Sequence, residues 1–320
     1  MNEELRIAKK WLTEGSRVIL AVVAKTWGSA PRQTGSLMVV HEHGHFSGSV
    51  SGGCVEGAVI AEAQALSSTL ADSTASYCKT LNYKVGPDEA WQVGLACGGE
   101  IRIILFSLRA DNIAAIEESL HKTGTAREKC TLRLIKQSGD AVCLSNVAES
   151  AVTETDTHID LTLSPKQRLY ITGAVHIAET LAPLAGQCGF DVTVIDPRGM
   201  FTENHGYGGV TVVCDWPDEY FSANPLDSEC ALVTLTHDPK IDDAALIMAL
   251  ESNVFYIGSL GSKKTQATRI SRLKAQEIPD TSLARIHGPV GLNIGAKSPQ
   301  EIAVSIMAEI IAVKRGTDAK

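Results

Sequence analysis

The stretch Leu169-Tyr170-Ile171-Thr172-Gly173-Ala174-Val175-His176-Ile177-Ala178 decides the fold. Strand-forming residues run into a glycine turn, and apolar residues then recur at helical spacing. A strand, a tight turn and a helix in this order open a parallel sheet. A turn built to hold a dinucleotide reads G-x-G-x-x-G: the first glycine makes the turn, the second lets backbone amides close on the pyrophosphate, and the third lets helix and sheet pack. Gly173 and the small Ala178 fill the first and third places. Val175 stands at the second, and its side chain adds bulk where phosphate oxygens would sit. The helix N-terminus still favours an anion held further out. Two readings stay open, an altered ligand loop or a βα connection with no ligand, and His176 is either a ligand contact or a hydrogen-bonded structural group.

Working outward, strands are expected over 169–172, 191–195, 210–213, 231–236 and 254–257, with helices over 177–188, 242–250 and 263–276 between them. Pro183 should kink the first of these helices. Ser298-Pro299-Gln300-Glu301 is a capping box with proline at the first helical position, ahead of Ile302, Ile306 and Ile310. Upstream the pattern is mixed, with strands over 17–25, 36–41 and 100–106 and helices over 55–66 and 111–121. A hairpin is expected between 131–136 and 141–144 around Ser138-Gly139-Asp140. The polar stretch 153–166 ends in Ser164-Pro165-Lys166, and the domain boundary is expected there. The fold class is therefore α/β: a mixed α+β N-terminal domain over 1–160, then a Rossmann-like parallel-sheet C-terminal domain over 167–320.

A length of 320 residues suits two cores, and 44% hydrophobic with 21% charged residues is ordinary globular usage. The longest apolar runs are strand-sized, well short of the roughly 20 residues that span a bilayer, so no membrane segment is expected. The N-terminus reads as an amphipathic helix rather than a signal peptide, which makes the cytoplasm the expected location. Eight cysteines contain no CxxC pair, so neither a zinc ribbon nor a disulfide framework is signalled, and reduced thiols are expected. A net charge of −8, with no basic run, argues against nucleic acid as a partner.

Ligands of open α/β sheets bind beyond the carboxyl ends of the strands. That edge would gather Gly173 and His176, then Asp196 and Arg198 after the second strand, with Asp196 where a ribose-binding acid would stand. His237 follows the fourth strand and Gly258-Ser259-Leu260-Gly261-Ser262-Lys263-Lys264 the fifth. Gly258, Gly261, Ser262 and Lys263 offer either an anion cradle backed by positive charge or a glycine turn with a serine cap.

Three glycine-rich segments stand out in the first domain: Gly28-Ser29-Ala30-Pro31-Arg32, Gly48-Ser49-Val50-Ser51-Gly52-Gly53-Cys54-Val55-Glu56 and Gly94-Leu95-Ala96-Cys97-Gly98-Gly99-Glu100. Gly52 and Gly53 deliver Cys54 to a helix start, where the dipole lowers a thiol pKa. Cys97 lies beside Gly98, whose missing side chain lets a ligand approach the backbone. Either thiolate could contact a soft metal or its sulfur, or be a buried apolar group. Cysteines 78, 130, 143, 188, 214 and 230 read as apolar packing. Arg32 offers a planar fork for a phosphate, or a surface ion pair.

These motifs, with Gly258–Lys264 and His287-Gly288-Pro289-Val290-Gly291-Leu292-Asn293-Ile294-Gly295-Ala296, resemble the XdhC/CoxI family of xanthine dehydrogenase accessory proteins nearly end to end. Residues 107–166 match only loosely. The family's C-terminal loop commonly reads Gly-Ala-Gly-His, and this chain departs from it at Val175. The resemblance implies a cytoplasmic homodimer without enzymatic activity. It would bind the molybdenum cofactor in its molybdopterin form, protect it during sulfuration with a cysteine desulfurase as sulfur source, and pass it to a xanthine-dehydrogenase-type molybdoenzyme. The residues agree: a phosphate, a dithiolene-held metal and a flat polar ring want anion cradles, donors and a thiolate. Two other readings compete. Asp196 and the βαβ order suggest an NAD(P)-dependent oxidoreductase, with Val175 against it, and a protein-interaction adaptor with both sites vestigial would need no ligand.

Overall fold

The computed structural model describes residues 3–28, 32–53, 55–69, 77–85, 99–199 and 209–317. The chain divides into two compact units, Met1–Pro165 and Lys166–Lys320.

The first unit opens with α1 (Glu3–Thr13), β1 (Val18–Gly28), β2 (Leu37–His41), β3 (Phe46–Gly48), α2 (Glu56–Thr69), β4 (Cys78–Val85) and β5 (Gly99–Leu108). The five strands form an antiparallel sheet in the order β3-β2-β1-β5-β4. Its middle strands are buried on both faces, which is why β1 is a continuous apolar run rather than an alternation. Ile19, Ala21, Ile103 and Leu105 pack under Val59 and Ala63 of α2. Leu20, Val22, Ile104 and Phe106 face Leu5 and Ala8 of α1 together with Leu132 and Leu161. Each of the valine, leucine, isoleucine and phenylalanine side chains contributes roughly 1.5–3 kcal/mol on burial. Leu132 and Leu161 belong to a second sheet that follows α3 (Ile113–His121). It is built from β6 (Cys130–Ile135), β7 (Ala141–Leu144), β8 (Val152–Glu154) and β9 (His158–Leu163), in the order β7-β6-β9-β8. The polar stretch 153–166, where the domain boundary is expected, carries most of β8 and all of β9, and the first unit ends at Pro165. In β9 the polar residues His158, Asp160 and Thr162 alternate with buried Ile159, Leu161 and Leu163, and Asp160 is itself buried, held by the Arg133 guanidinium at 2.7 and 2.8 Å.

The second unit runs β10 (Arg168–Thr172), α4 (His176–Gln187), β11 (Asp191–Ile195), β12 (Thr211–Val213), α5 (Pro217–Ala223), β13 (Cys230–Thr234), α6 (Pro239–Leu250), β14 (Tyr256–Ser259), α7 (Lys263–Lys274), α8 (Asp280–Leu283), β15 (Ile286–His287) and α9 (Pro299–Arg315). All six strands are parallel, in the order β12-β11-β10-β13-β14-β15. The chain winds outward from β10 to β12, then returns to start β13 on the other side of β10. That reversal places a ligand crevice beyond the ends of β10 and β13. Leu181 of α4 and Ile306 and Ile310 of α9 cover one face over Ile171, Val194 and Val233, while Leu246 and Ala249 of α6 and Leu273 of α7 cover the other over Tyr170, Leu232 and Ile257. α4 continues through Pro183 to Gln187. α9 starts at the expected box: the Ser298 hydroxyl accepts from the Glu301 amide at 3.2 Å, and the Glu301 carboxylate accepts from the Ser298 amide at 3.0 Å. Among the described residues no helix is long and apolar enough to cross a membrane.

Candidate functional site

At the carboxyl edge of the parallel sheet, Gly173 has φ 109°, and a Cβ there would come within 2.7 Å of Thr236 Cγ2. Turn geometry and the close approach of β10 to the segment after β13 both require this glycine. Asp196 is fully buried, and its carboxylate is engaged from two sides. Oδ2 accepts from the Ala174 amide at 2.8 Å, while the Arg198 guanidinium grips both oxygens, Nε to Oδ1 at 2.8 Å and Nη2 to Oδ2 at 2.7 Å. Burial alone would raise this carboxyl; the Arg198 side chain and the two backbone amides outweigh it and hold the acid below its ordinary value. The acid in the ribose position thus points into its own loop, and one loop amide is already spent.

His176 is largely exposed, with Nδ1 3.5 Å from the Glu179 carboxylate. His237 is exposed and sits in the left-handed region at φ 62°. Its amide donates to Asp242 Oδ2 at 3.1 Å, and the Thr236 amide and hydroxyl donate to Oδ1 at 3.2 and 2.7 Å. Gly258 has a packing role: a Cβ there would lie 2.5 Å from Val290 Cγ2 and 2.8 Å from the Tyr256 ring. Gly261, at φ 146°, precedes Ser262, whose hydroxyl caps α7 by accepting from the Thr265 amide at 3.1 Å. Lys263 is exposed in the first turn. The edge therefore brings Gly173 beside Thr236 and His237 and ties Asp196 to Arg198, whereas Gly258 and Ser262 are accounted for by packing and capping.

Two features here are silent in the sequence. Thr172, Thr234 and Ser259 are register partners across β10, β13 and β14, so three buried hydroxyls form a row, with 2.5 Å between Thr234 Oγ1 and Ser259 Oγ. Thr172 Oγ1 is buried without a partner among the described residues. Glu309 of α9 accepts from the Tyr256 hydroxyl at 2.5 Å and the Gly291 amide at 2.8 Å, and pairs with His287 Nδ1 at 3.2 Å, which binds the 287–296 motif to the last helix.

In the first unit, ladder register brings the first and third glycine motifs together. Gly28 is paired with Gly99 and Trp27 with Glu100, while Met38, beside the start of β2, is paired with Gly48. Met38 is in turn paired with Ala21, seven residues before Gly28 on β1, so the second motif leaves the sheet well short of the Gly28–Gly99 end. In the second motif, Gly52 and Gly53 adopt φ 86° and 121°, turning successive amides toward one acceptor. That acceptor is Glu56, which takes the amides of Ser51, Gly52 and Gly53 at 2.8, 3.0 and 2.9 Å and the hydroxyls of Ser49 and Ser51. Burial opposes its charge, yet the two serine hydroxyls and the amides hold the carboxyl down to about 2. The loop nest is thus filled by the protein's own carboxylate, a role signalled only by an acid three residues after Gly53.

Arg32 is exposed. Cys54, Cys97 and Gly98 lie outside the described residues. The six other cysteines form no disulfide among the described residues. Cys130 and Cys230 are buried as expected, but Cys188 and Cys214 are exposed. Burial pushes the Cys78 thiol up to about 11 and the Cys130 thiol up to about 12, so neither is a ready thiolate. No three acidic, histidine or cysteine side chains among the described residues stand together to hold a metal. A polar cleft of about 660 Å³ is lined by Ala24, Lys25, Thr80, Arg102, Lys136, Glu154, Thr155 and Asp156.

A parallel Rossmann-type unit with an internally bound turn acid, preceded in the chain by an α+β unit with glycine motifs at one sheet end, defines a two-unit α/β protein with a modified nucleotide fold. Residues 169–310 match the profile of the XdhC Rossmann domain, and residues 11–77 that of the XdhC and CoxI family. The chain belongs to the XdhC and CoxI family. It is 29% identical over 317 residues to the molybdenum cofactor insertion chaperone PaoD of Escherichia coli, covering 97% of this chain and 87% of the relative. It is 28% identical to a Bacillus subtilis protein described as a probable subunit of xanthine dehydrogenase, covering 95% of each. A crystal structure described as a xanthine dehydrogenase of Bacillus halodurans shares the fold, with TM-score 0.75 over 99% of this chain and 97% of that one, at 23% identity.

Proposed function

We propose that this chain is a carrier of the molybdenum cofactor: it binds the molybdopterin form in the cytoplasm, shields it while a cysteine desulfurase supplies sulfur, and hands it to a xanthine-dehydrogenase-type enzyme. The observation that carries this reading is the pairing of two glycine motifs, Gly28 against Gly99, at one end of the N-terminal sheet, in a chain resembling a named cofactor-insertion chaperone over nearly its whole length. The residues fit the group. Exposed Arg32 and the cationic cleft suit a phosphate, and exposed Trp27 suits a flat ring. Delivery needs a partner surface rather than a nucleophile and base, and the resemblance supports a homodimer.

The dinucleotide reading is disfavoured by Asp196, whose oxygens are held by Arg198 and the Ala174 amide, and by Val175. Isothermal titration with NAD or NADP should give no heat of binding; micromolar affinity for either would support the oxidoreductase instead. For the carrier, protein purified from a host that makes molybdopterin is oxidised and its fluorescent pterin measured. Absence of pterin, even after reconstitution with authentic cofactor, overturns the proposal.

A further inference from the structure

We infer that Trp27 and Glu100 bind the cofactor's pterin ring and that the adjoining cleft, through Lys25, Arg102 and Lys136, takes its phosphate; this rests on the carrier reading and adds a binding subsite to it. Trp27 is 72% exposed, although a large aromatic ring is normally put to work in packing. A single exposed apolar side chain needs no explanation by itself. Here the register supplies a second observation. Trp27 is paired with Glu100 and Lys25 with Arg102, and antiparallel partners share a face. The four side chains thus form two adjacent rows on one face, roughly 7 Å apart along the strands. The Glu100 carboxylate makes no hydrogen bond or ion pair among the described residues, even though Lys84 is its register partner on β4.

The chemistry of the two rows differs as the two ends of the cofactor do. An exposed indole accepts any flat heteroaromatic ring, and a carboxylate beside it accepts the paired N–H donors of a 2-amino-4-oxopyrimidine edge. Adenine offers no such pair of adjacent donors. The next row opens the cleft, where Lys25, Arg102 and Lys136 stand against Glu154 and Asp156. Arg102 grips Glu154 through two hydrogen bonds of 3.1 Å, and Lys136 reaches the same carboxylate at 2.8 Å, so both cations are fixed in place. Lys25 is exposed and has no such partner among the described residues, leaving its charge for an incoming anion. A cleft of about 660 Å³ is the size that small-molecule sites have.

The test uses the full chain, with binding followed by equilibrium titration against four probes: cofactor released from a purified molybdoenzyme, phosphate-free neopterin, GMP and AMP. Trp27→Leu should weaken the cofactor and neopterin about tenfold, the worth of one stacked ring. Glu100→Gln should weaken the cofactor, neopterin and GMP and leave AMP unchanged. Lys25→Ser should weaken the cofactor and leave neopterin unchanged. All three side chains are exposed, so circular dichroism should report an intact fold. If wild type binds the cofactor and the Trp27 and Glu100 variants bind it equally well, the subsite is wrong and the carrier reading survives. A wild-type chain that binds no cofactor overturns both.

Discussion

Two buried carboxylates show how single residues shape this molecule. Glu56 has an ordinary pKa near 4.5 when unfolded and about 2 when folded, so its hydrogen bonds stabilise the native state fully above pH 4.5 and fade as pH falls toward 2. The shift corresponds to about 3 kcal/mol. Glu56→Gln should therefore cost about 3 kcal/mol at pH 7 in urea unfolding, and the gap to wild type should narrow by about 1 kcal/mol between pH 4.5 and 3.5. A gap independent of pH would mean that shape rather than charge matters. Asp196 gives a second test. Arg198→Ala leaves a buried charge without its cation, at a cost of about 3 kcal/mol; if Arg198 were an idle phosphate reader, the urea midpoint would not move. The glycine loops around both acids are legible in the sequence because only glycine takes those backbone angles easily. Their acceptors are not, since which carboxylate reaches which amide is settled by tertiary geometry.

At the level of elements, the parallel strands are readable as apolar β-branched runs and α9 by its capping box, because both signals are local. β8 and β9 hide in a polar stretch, and the two-residue β15 is too short to show any period. The glycine of β14 reads as part of an anion cradle, yet the contact that demands it comes from Val290, 32 positions later in the chain and beyond the end of β15. Gly258→Ala should cost about 2 kcal/mol through overpacking. Combining it with Val290→Ala should cost less than the two single changes together, because the truncated valine makes room for the new methyl. Strict additivity in a thermal-unfolding cycle would show that the crowding is relieved elsewhere.

Across the whole molecule, charge acts at a range that no motif reveals. The sequence has no basic run and a net charge of −8, yet register pairs Lys25 with Arg102, 77 positions later, and Lys136, 111 positions from Lys25, lines the same cleft. An anionic cofactor would then meet two opposing fields: repulsion from the molecule at long range and attraction by the cleft at contact. Salt separates them. The Debye length falls from about 30 Å at 0.01 M to about 8 Å at 0.15 M, so added salt removes the distant repulsion first and leaves the close contacts much less affected. The association rate of the cofactor, read by stopped-flow fluorescence, should therefore rise over that range. The dissociation rate should change less. An association rate that falls instead would mean that the cleft's local field dominates the approach path, and that the acidic residues face away from it.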